Sequence, residues 1–344
     1  MQRNRFIDVL KGIFIIFVIV LHFPFDISER QRYLFPLCIE LAVPFFMMIS
    51  GYVSSISFRK RGIESMEAAY HPITIVEKLI RYTIPYTIAF AAEWIVFRVF
   101  GLYTVGIRTY GILAFAMDYL SGGKGQGSYY FPIMIQFVFL FPLIYFFIRK
   151  YNLKGLGFCF LANAAFEILK NAYGMNDVEY RLLVFRYLFV IAAGCYIAIG
   201  NIKKDFNMIV LCVACIMIGL VFVCLFSYTS YAPKIITYWS TTSFLVCLYV
   251  VPILGWLIRK VHWGFRPLEI IGKASFNIFL VQMIYYIFAE RIYDFIPNRS
   301  LQLIFNIVNC VLAGIAFYYI EQPLTKGVLH LFRKFTDTKI REKK

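Results

Sequence analysis

The sequence predicts an all-α, polytopic membrane helix bundle of about ten transmembrane helices, with the N- and C-termini both cytoplasmic. Three observations predict it: composition, a series of apolar runs, and the side of those runs on which the basic residues fall. Hydrophobic residues make up 61% of the 344, against roughly 45–50% in a soluble domain. Charged residues are 16%, against about 25%, and the mean hydropathy is +0.71. A soluble protein of this make-up lacks the polar surface to cover itself. The 37 Phe and 25 Tyr exclude a disordered chain, and the scattered eight cysteines exclude a disulfide scaffold.

Crossing about 30 Å of hydrocarbon at 1.5 Å per residue takes roughly 20 apolar residues. Ten runs qualify: Val9 to Phe25, Leu34 to Ser57, Tyr82 to Phe100, Tyr129 to Ile148, Leu156 to Leu169, Leu182 to Ile199, Met208 to Phe226, Ile235 to Ile258, Ala274 to Ala289, and Leu301 to Ile320. The fifth is short, which leaves nine as the other count.

Short cytoplasmic loops collect Lys and Arg, and this decides between the two counts. With the N-terminus inside, 24 of the 35 basic residues fall on the inner side, and the net charge of +16 divides into +15 inside and +1 outside. An odd number of spans would strand the Lys-rich tail on the outer side. The basic excess therefore reads as topology and contact with anionic lipid, with no nucleic acid as partner. Residues 1–323 are expected to form the membrane domain and 324–344 a basic cytoplasmic tail. No cleavable signal peptide is expected, since no small-residue cleavage site follows the first span. Cys212 and Cys215 have the spacing of a redox pair, but their apolar neighbours mark them as core residues.

Two connections are long. Arg59 to Ile80 is basic and partly helical. Tyr103 to Ser128 is external and holds Gly122, Gly123, Gly125 and Gly127. A run with so little backbone preference is either a mobile lid or a bare linker, and the linker is favoured.

Ionisable groups inside spans are costly and mark candidate sites. In the first helix, Arg5, Asp8 and Lys11 stand at the cytoplasmic mouth and His22 follows eleven residues after Lys11. Eleven residues turn a helix through about 1100°, about 20° from three whole turns, with a rise of about 16.5 Å. Lys11 and His22 thus share a face. His71, His262 and His330 fall in cytoplasmic connections, which leaves His22 as the histidine at membrane depth. Glu40, Glu93, Arg98, Gln136, Glu167 and Arg186 lie at similar depth on the following helices. Each has a plain reading as interhelical glue, but six helices placing polar groups at one level are better explained by a wet cavity.

The pattern suggests a chemistry. A neutral imidazole can take a proton from an attacking hydroxyl, and a carboxylate on its second nitrogen orients it. Glu40 is the expected carboxylate. The basic mouth, Arg5 and Lys11, suits phosphates of a donor whose reactive end is carried on a long arm, as in coenzyme A. No metal is called for.

The stretch RFIDVLKGIFIIFVIVLHFPF resembles the opening of the acyltransferase-3 family of integral membrane acyltransferases, in which Arg or Lys, ten residues and His recur. Here those positions are Lys11 and His22. VPFFMMISGY (43–52), KLIRYTIPY (78–86), YYFPIMIQFVFLFP (129–142), GKASFNIFLVQ (272–282) and YIEQP (319–323) follow in the family's order, so the likeness runs over nearly the whole chain. It implies an O-acyltransferase that moves acetyl, or another short acyl group, from cytoplasmic acyl-CoA to a hydroxyl of a cell-surface or lipid-linked glycan, in a bacterial cytoplasmic membrane. Lys11 and His22 are then the essential pair, Lys78 and Arg81 a second basic pair for the coenzyme phosphates, and Glu93, Arg98, Gln136 and Arg186 the candidates for binding substrate or the thioester oxyanion. Gln282 departs from the pattern, because many members carry His there. Direct transfer and a covalent acyl-histidine are both compatible with these residues. An exporter or flippase of a polysaccharide or lipid-linked sugar would use the same polar cavity without acyl transfer.

Overall fold

The computed structural model describes residues 4–99, 112–200, 202, 206–229 and 244–342. Within them the chain forms α-helices and two 3₁₀ turns, with no strand. The helices are α1 (Arg5–His22), α2 (Ile27–Arg32), α3 (Ala42–Lys60), α4 (Met66–Ala69), α5 (Pro72–Val99), α6 (Ile112–Ser121), α7 (Tyr130–Ala172), α8 (Asp177–Leu182), α9 (Leu188–Ile199), α10 (Phe206–Tyr228), α11 (Cys247–Lys260), α12 (Arg266–Lys273), α13 (Ser275–Tyr285), α14 (Ala289–Tyr293) and α15 (Arg299–Glu342). The 3₁₀ turns are Phe35–Leu37 and Val184–Tyr187.

Among the described residues, four helices are long and apolar enough to cross a bilayer: Phe35–Lys60, Tyr130–Ala172, Phe206–Tyr228 and Arg299–Thr336. Taking Arg266–Lys273 with Ser275–Tyr285 as one broken span gives a fifth. The protein is therefore an all-helical membrane protein. The other expected spans are helical too, but α1 carries Arg5, Asp8 and Lys11 in its first two turns, and α9 and α11 have only 12 and 14 residues. The expected fourth and fifth spans are one helical stretch, α7, broken at a single residue, Asn152, whose φ of 53° leaves the helical region. The Arg149–Lys154 connection is thus a kink, with Gly155 and Gly157 just beyond it. The start of the expected eighth span, 235–243, and of the outer connection, 103–111, lie outside the described residues. Residues 324–342 continue α15 directly through Pro323.

The chain divides into two compact units. The first, residues 1–66 and 140–272, is built on the pair α3 and α9. These two helices touch backbone to backbone, because Gly51 faces the Ile191 carbonyl and Gly194 the Met48 carbonyl with no room for a Cβ. Small residues at such a crossing let helices approach where lipid supplies no hydrophobic drive. Phe14 of α1 packs on Phe45 of α3 at 4.4 Å between ring centres. α10 packs on α11 and otherwise shows most of its apolar surface outward, as a lipid-facing helix does.

The second unit, residues 67–139 and 273–344, packs α5 with α13 and α15. Tyr86 of α5 stacks on Phe131 of α7, ring centres 3.5 Å apart. Several polar groups buried in this unit are paired: Asn306 of α15 accepts from the Tyr285 hydroxyl (2.7 Å) and donates to Tyr293 (2.6 Å), and Asn277 donates to Glu321 (3.2 Å). Such pairing is what makes a polar side chain tolerable in an apolar core.

Candidate functional site

The first turns of α1 are fixed from three directions. Asn4 caps the helix, its side-chain oxygen accepting from the Phe6 N–H at 3.0 Å, which satisfies one of the orphan donors of a helix start. Its amide nitrogen donates to the Ile258 carbonyl near the end of α11, also at 3.0 Å. Arg5 clasps Glu269 of α12 through Nε (3.0 and 3.1 Å) and Nη2 (2.7 Å). Gly12 and Gly272 then let α1 and α12 cross at backbone distance, against the Leu268 and Asp8 carbonyls respectively.

This arrangement leaves Lys11 on the wall of a cavity of about 1120 Å³ within the first unit. Arg5, Asp8, Lys11, Tyr52, Arg59, Lys60, Arg259 and His262 line it. Asp8 is buried and Lys11 half-buried. Glu269 offsets Arg5, whose guanidinium is held further into its protonated range by that hydrogen bond. The basin is basic on balance, through Lys11, Arg59, Lys60 and Arg259. Sequence reading placed Arg59, Lys60 and Arg259 among the topological charges and missed their shared basin. The available signal was their position at the ends of α3 and α11, level with Lys11. Arg59 is set by its own contact, Nη1 to the Ala198 carbonyl at 3.2 Å.

His22 is the last residue of α1, half-buried, and the chain turns out of the helix at Phe23, whose N–H bonds to the Val20 carbonyl at 3.2 Å. Glu40 follows the 3₁₀ turn, in the short link before α3. It makes no hydrogen bond to His22, so the expected orienting contact is not formed in this structure. The charge acting on Glu40 is that of Arg30. Arg30, which sequence reading did not single out, reaches back to the end of α1: its Nε donates to the Phe25 carbonyl (3.3 Å) and Nη2 to that of Leu21 (3.4 Å). A cation at a helix C-terminus meets the negative end of the dipole, which explains why Arg30 lies here.

Arg186 is buried in the first unit beside α8. Its guanidinium lies 4.7 Å from the Tyr180 ring centre and 4.9 Å from that of Tyr187. The Tyr180 hydroxyl donates to the buried Glu167 at 2.6 Å, and burial pushes that phenol far up. Glu167 and Arg186 are therefore brought together, around one tyrosine.

In the second unit Glu93 has a defined task. Its carboxylate accepts the backbone N–H of Lys124 (2.8 Å) and of Gly125 (2.6 Å). The glycine run is accordingly an ordered turn, which corrects its expected reading as a bare linker. Gly122 and Gly123 adopt φ of 100° and 99°, open to glycine, and a Cβ on Gly123 would collide with the Glu93 carboxylate. Gln282 of α13 is fully buried and donates Nε2 to the Gln126 carbonyl at 3.2 Å, while its Oε1 has no hydrogen-bond partner. Arg98 is exposed and covers the Trp94 ring at 5.5 Å; Gln136 is half-buried on α7. Lys78 and Arg81 lie on α5, half-buried and exposed, one turn from Glu77, which pairs with Arg333 at 2.6 Å. Three of the six polar groups expected at one depth, Glu93, Arg98 and Gln136, belong to this unit, and Glu93 is already occupied by backbone donors.

The model of a family described as an acyltransferase domain matches residues 4–320. No curated protein and no solved structure matches the chain significantly. The match takes in Lys11, His22, the whole basic basin and the Gly122–Gly127 turn. By that extent the chain belongs to the acyltransferase-3 family and is a membrane acyltransferase.

Proposed function

We propose that this enzyme transfers an acetyl or other short acyl group from cytoplasmic acyl-CoA to a hydroxyl of an extracytoplasmic or lipid-linked glycan, in a bacterial cytoplasmic membrane. One observation carries the reading: α1 lines the basic basin with Lys11 and ends on His22, about 16.5 Å further along by helical rise. The coenzyme's phosphates meet Lys11, Arg59, Lys60 and Arg259, charge-assisted contacts of the kind that hold phosphate firmly. Arg5 serves chiefly to fix α1 through Glu269. The pantetheine arm follows α1 to the imidazole.

There His22 accepts the proton of the sugar hydroxyl as its oxygen attacks the thioester carbonyl. The C–O bond forms, the C–S bond breaks, and His22 returns the proton to the departing thiolate. Arg186, in the unit that carries His22, is the favoured donor to the oxyanion. Glu40 orients His22 once its carboxylate swings onto the imidazole in the substrate-bound form. Ten spans with both termini cytoplasmic put the basin on the side where acyl-CoA is made.

The test is acyl transfer in vesicles supplied with labelled acetyl-CoA and envelope glycan. His22→Ala abolishes transfer with expression and coenzyme A binding retained. Unchanged turnover removes His22 from the mechanism. A purified protein that does not bind coenzyme A while moving a lipid-linked sugar across the membrane establishes export in place of acylation.

A further inference from the structure

A second cavity of the first unit has a different character. It encloses about 590 Å³, within the range of about 300–1,000 Å³ typical of small-molecule sites. It lies among the second limb of α7, α9, α10 and α11, with Phe160, Leu211, Leu248 and Trp256 on its walls. The lining is apolar except at one end, where Arg259 and Lys260 close α11, and at Tyr196 of α9. The Tyr196 side chain is 6% exposed and its hydroxyl has no hydrogen-bond partner. Trp256 is 61% exposed, the placement of a side chain resting at the bilayer interface.

We infer that this groove is a binding site for an anionic glycerophospholipid: one acyl chain lies among α7, α9, α10 and α11, and the phosphate rests on Arg259 and Lys260. Charge complementarity selects the occupant. An apolar slot ending on two cations between membrane helices fits a lipid with an anionic headgroup, and a zwitterionic lipid gains less there. The donor's own acyl group is a poorer occupant, because a thioester drawn into this groove is carried away from α1 and His22. Arg259 also lines the coenzyme basin, so the lipid phosphate and the donor share one cation, and lipid composition tunes donor affinity.

The experiment uses the delipidated full-length protein in detergent and reads its melting temperature and native mass spectrum with added phosphatidylglycerol or phosphatidylcholine of identical chains. Phosphatidylglycerol is expected to raise the melting temperature and remain bound, and phosphatidylcholine to do neither. Gly157→Phe fills the groove, and its Cβ meets nothing within 4 Å, so the fold tolerates it. This variant and Lys260→Gln lose the phosphatidylglycerol shift while coenzyme A binding stays at wild-type strength. Equal shifts with the two lipids overturn the proposal, as does a full phosphatidylglycerol shift in Gly157→Phe. A stabilisation by palmitoyl-CoA, absent with acetyl-CoA and lost in Gly157→Phe, gives the groove to the donor and equally overturns it.

Discussion

The carboxylate of Glu93 holds the backbone of Gly125 at 2.6 Å across 32 residues of sequence, and so converts a glycine-rich stretch into a fixed turn. Glu93→Ala leaves the N–H groups of Lys124 and Gly125 buried and unmatched, at a cost of about 1–3 kcal/mol for each. Glu93→Gln keeps an acceptor oxygen and loses much less. Limited trypsin digestion gives a sharp readout, because Lys124 is exposed inside the turn: the Ala variant is cut there rapidly, and the wild type and Gln variant slowly. Equal cleavage of all three refutes the anchoring role.

Arg5 and Glu269 pair asymmetrically, with side-chain exposures of 59% and 8%. Removing the arginine strands a carboxylate in a site with little water, whereas removing the glutamate leaves a solvated cation. Arg5→Ala is therefore expected to lower the melting temperature more than Glu269→Ala does. The reverse order would mean that Glu269 acts through other contacts.

Two glycines make opposite predictions under the same substitution. A Cβ at Gly272 would overlap the Asp8 carbonyl, so Gly272→Ala forces α1 away from α12 and costs about 1–3 kcal/mol or more. At Gly157 the same methyl meets open space, and Gly157→Ala stabilises by about 0.5–1 kcal/mol through helix propensity. Thermal unfolding in detergent distinguishes the two.

On the proposed function, each basin cation is expected to contribute separately to donor binding. Lys11→Ala, Arg59→Gln and Arg259→Gln are each expected to weaken coenzyme A binding by about tenfold or more, since a hydrogen bond to a charged group is worth about 1.5–3 kcal/mol. Isothermal titration with coenzyme A and with dephosphorylated pantetheine separates phosphate contacts from the rest: the variants should bind pantetheine as the wild type does.

Gln282 is the residue at which the chain departs from the motif of the resemblance, which implies histidine there. Its Nε2 bond to the Gln126 carbonyl can be reproduced by an imidazole N–H, so Gln282→His should fold and retain transfer. Gln282→Leu leaves that carbonyl without its donor and loses about 1–3 kcal/mol. Loss of transfer in Gln282→Leu with unaltered melting would assign Gln282 a chemical task beyond packing.

The long-range outline of the chain was legible because membrane helices announce themselves by length and apolarity. The run from Met208 to Phe226 became α10 almost unchanged, and Lys11 and His22 emerged on one continuous helix, as their spacing required. The break between the fourth and fifth runs falls where it was expected but is far tighter than a loop. Arg149, Lys150 and Lys154 read as a loop, yet a single residue with positive φ, Asn152, suffices to break a helix, and no composition signal marks one residue. The glycine run misled for a related reason: freedom of the isolated backbone says nothing of an acceptor 30 residues away. Glu93 looked like a substrate ligand because its depth was visible and its partners, two peptide N–H groups, were not. Arg59 and Arg259 were seen, but as topology, since a linear sequence cannot show that the ends of α3 and α11 meet around Lys11.

The fixed seat of α1 between α11 and α12 turns that helix into a measuring rod. Its lower end cannot slip, so the location of the imidazole is set by how many residues separate it from the basin. One inserted residue would swing His22 by about 100° and shift it by about 1.5 Å, off the line along which a tethered thioester arrives. Whole turns would restore the direction but miss the reach of the arm. If the proposed donor is right, the interval between the lysine and the histidine is a length standard cut to one carrier.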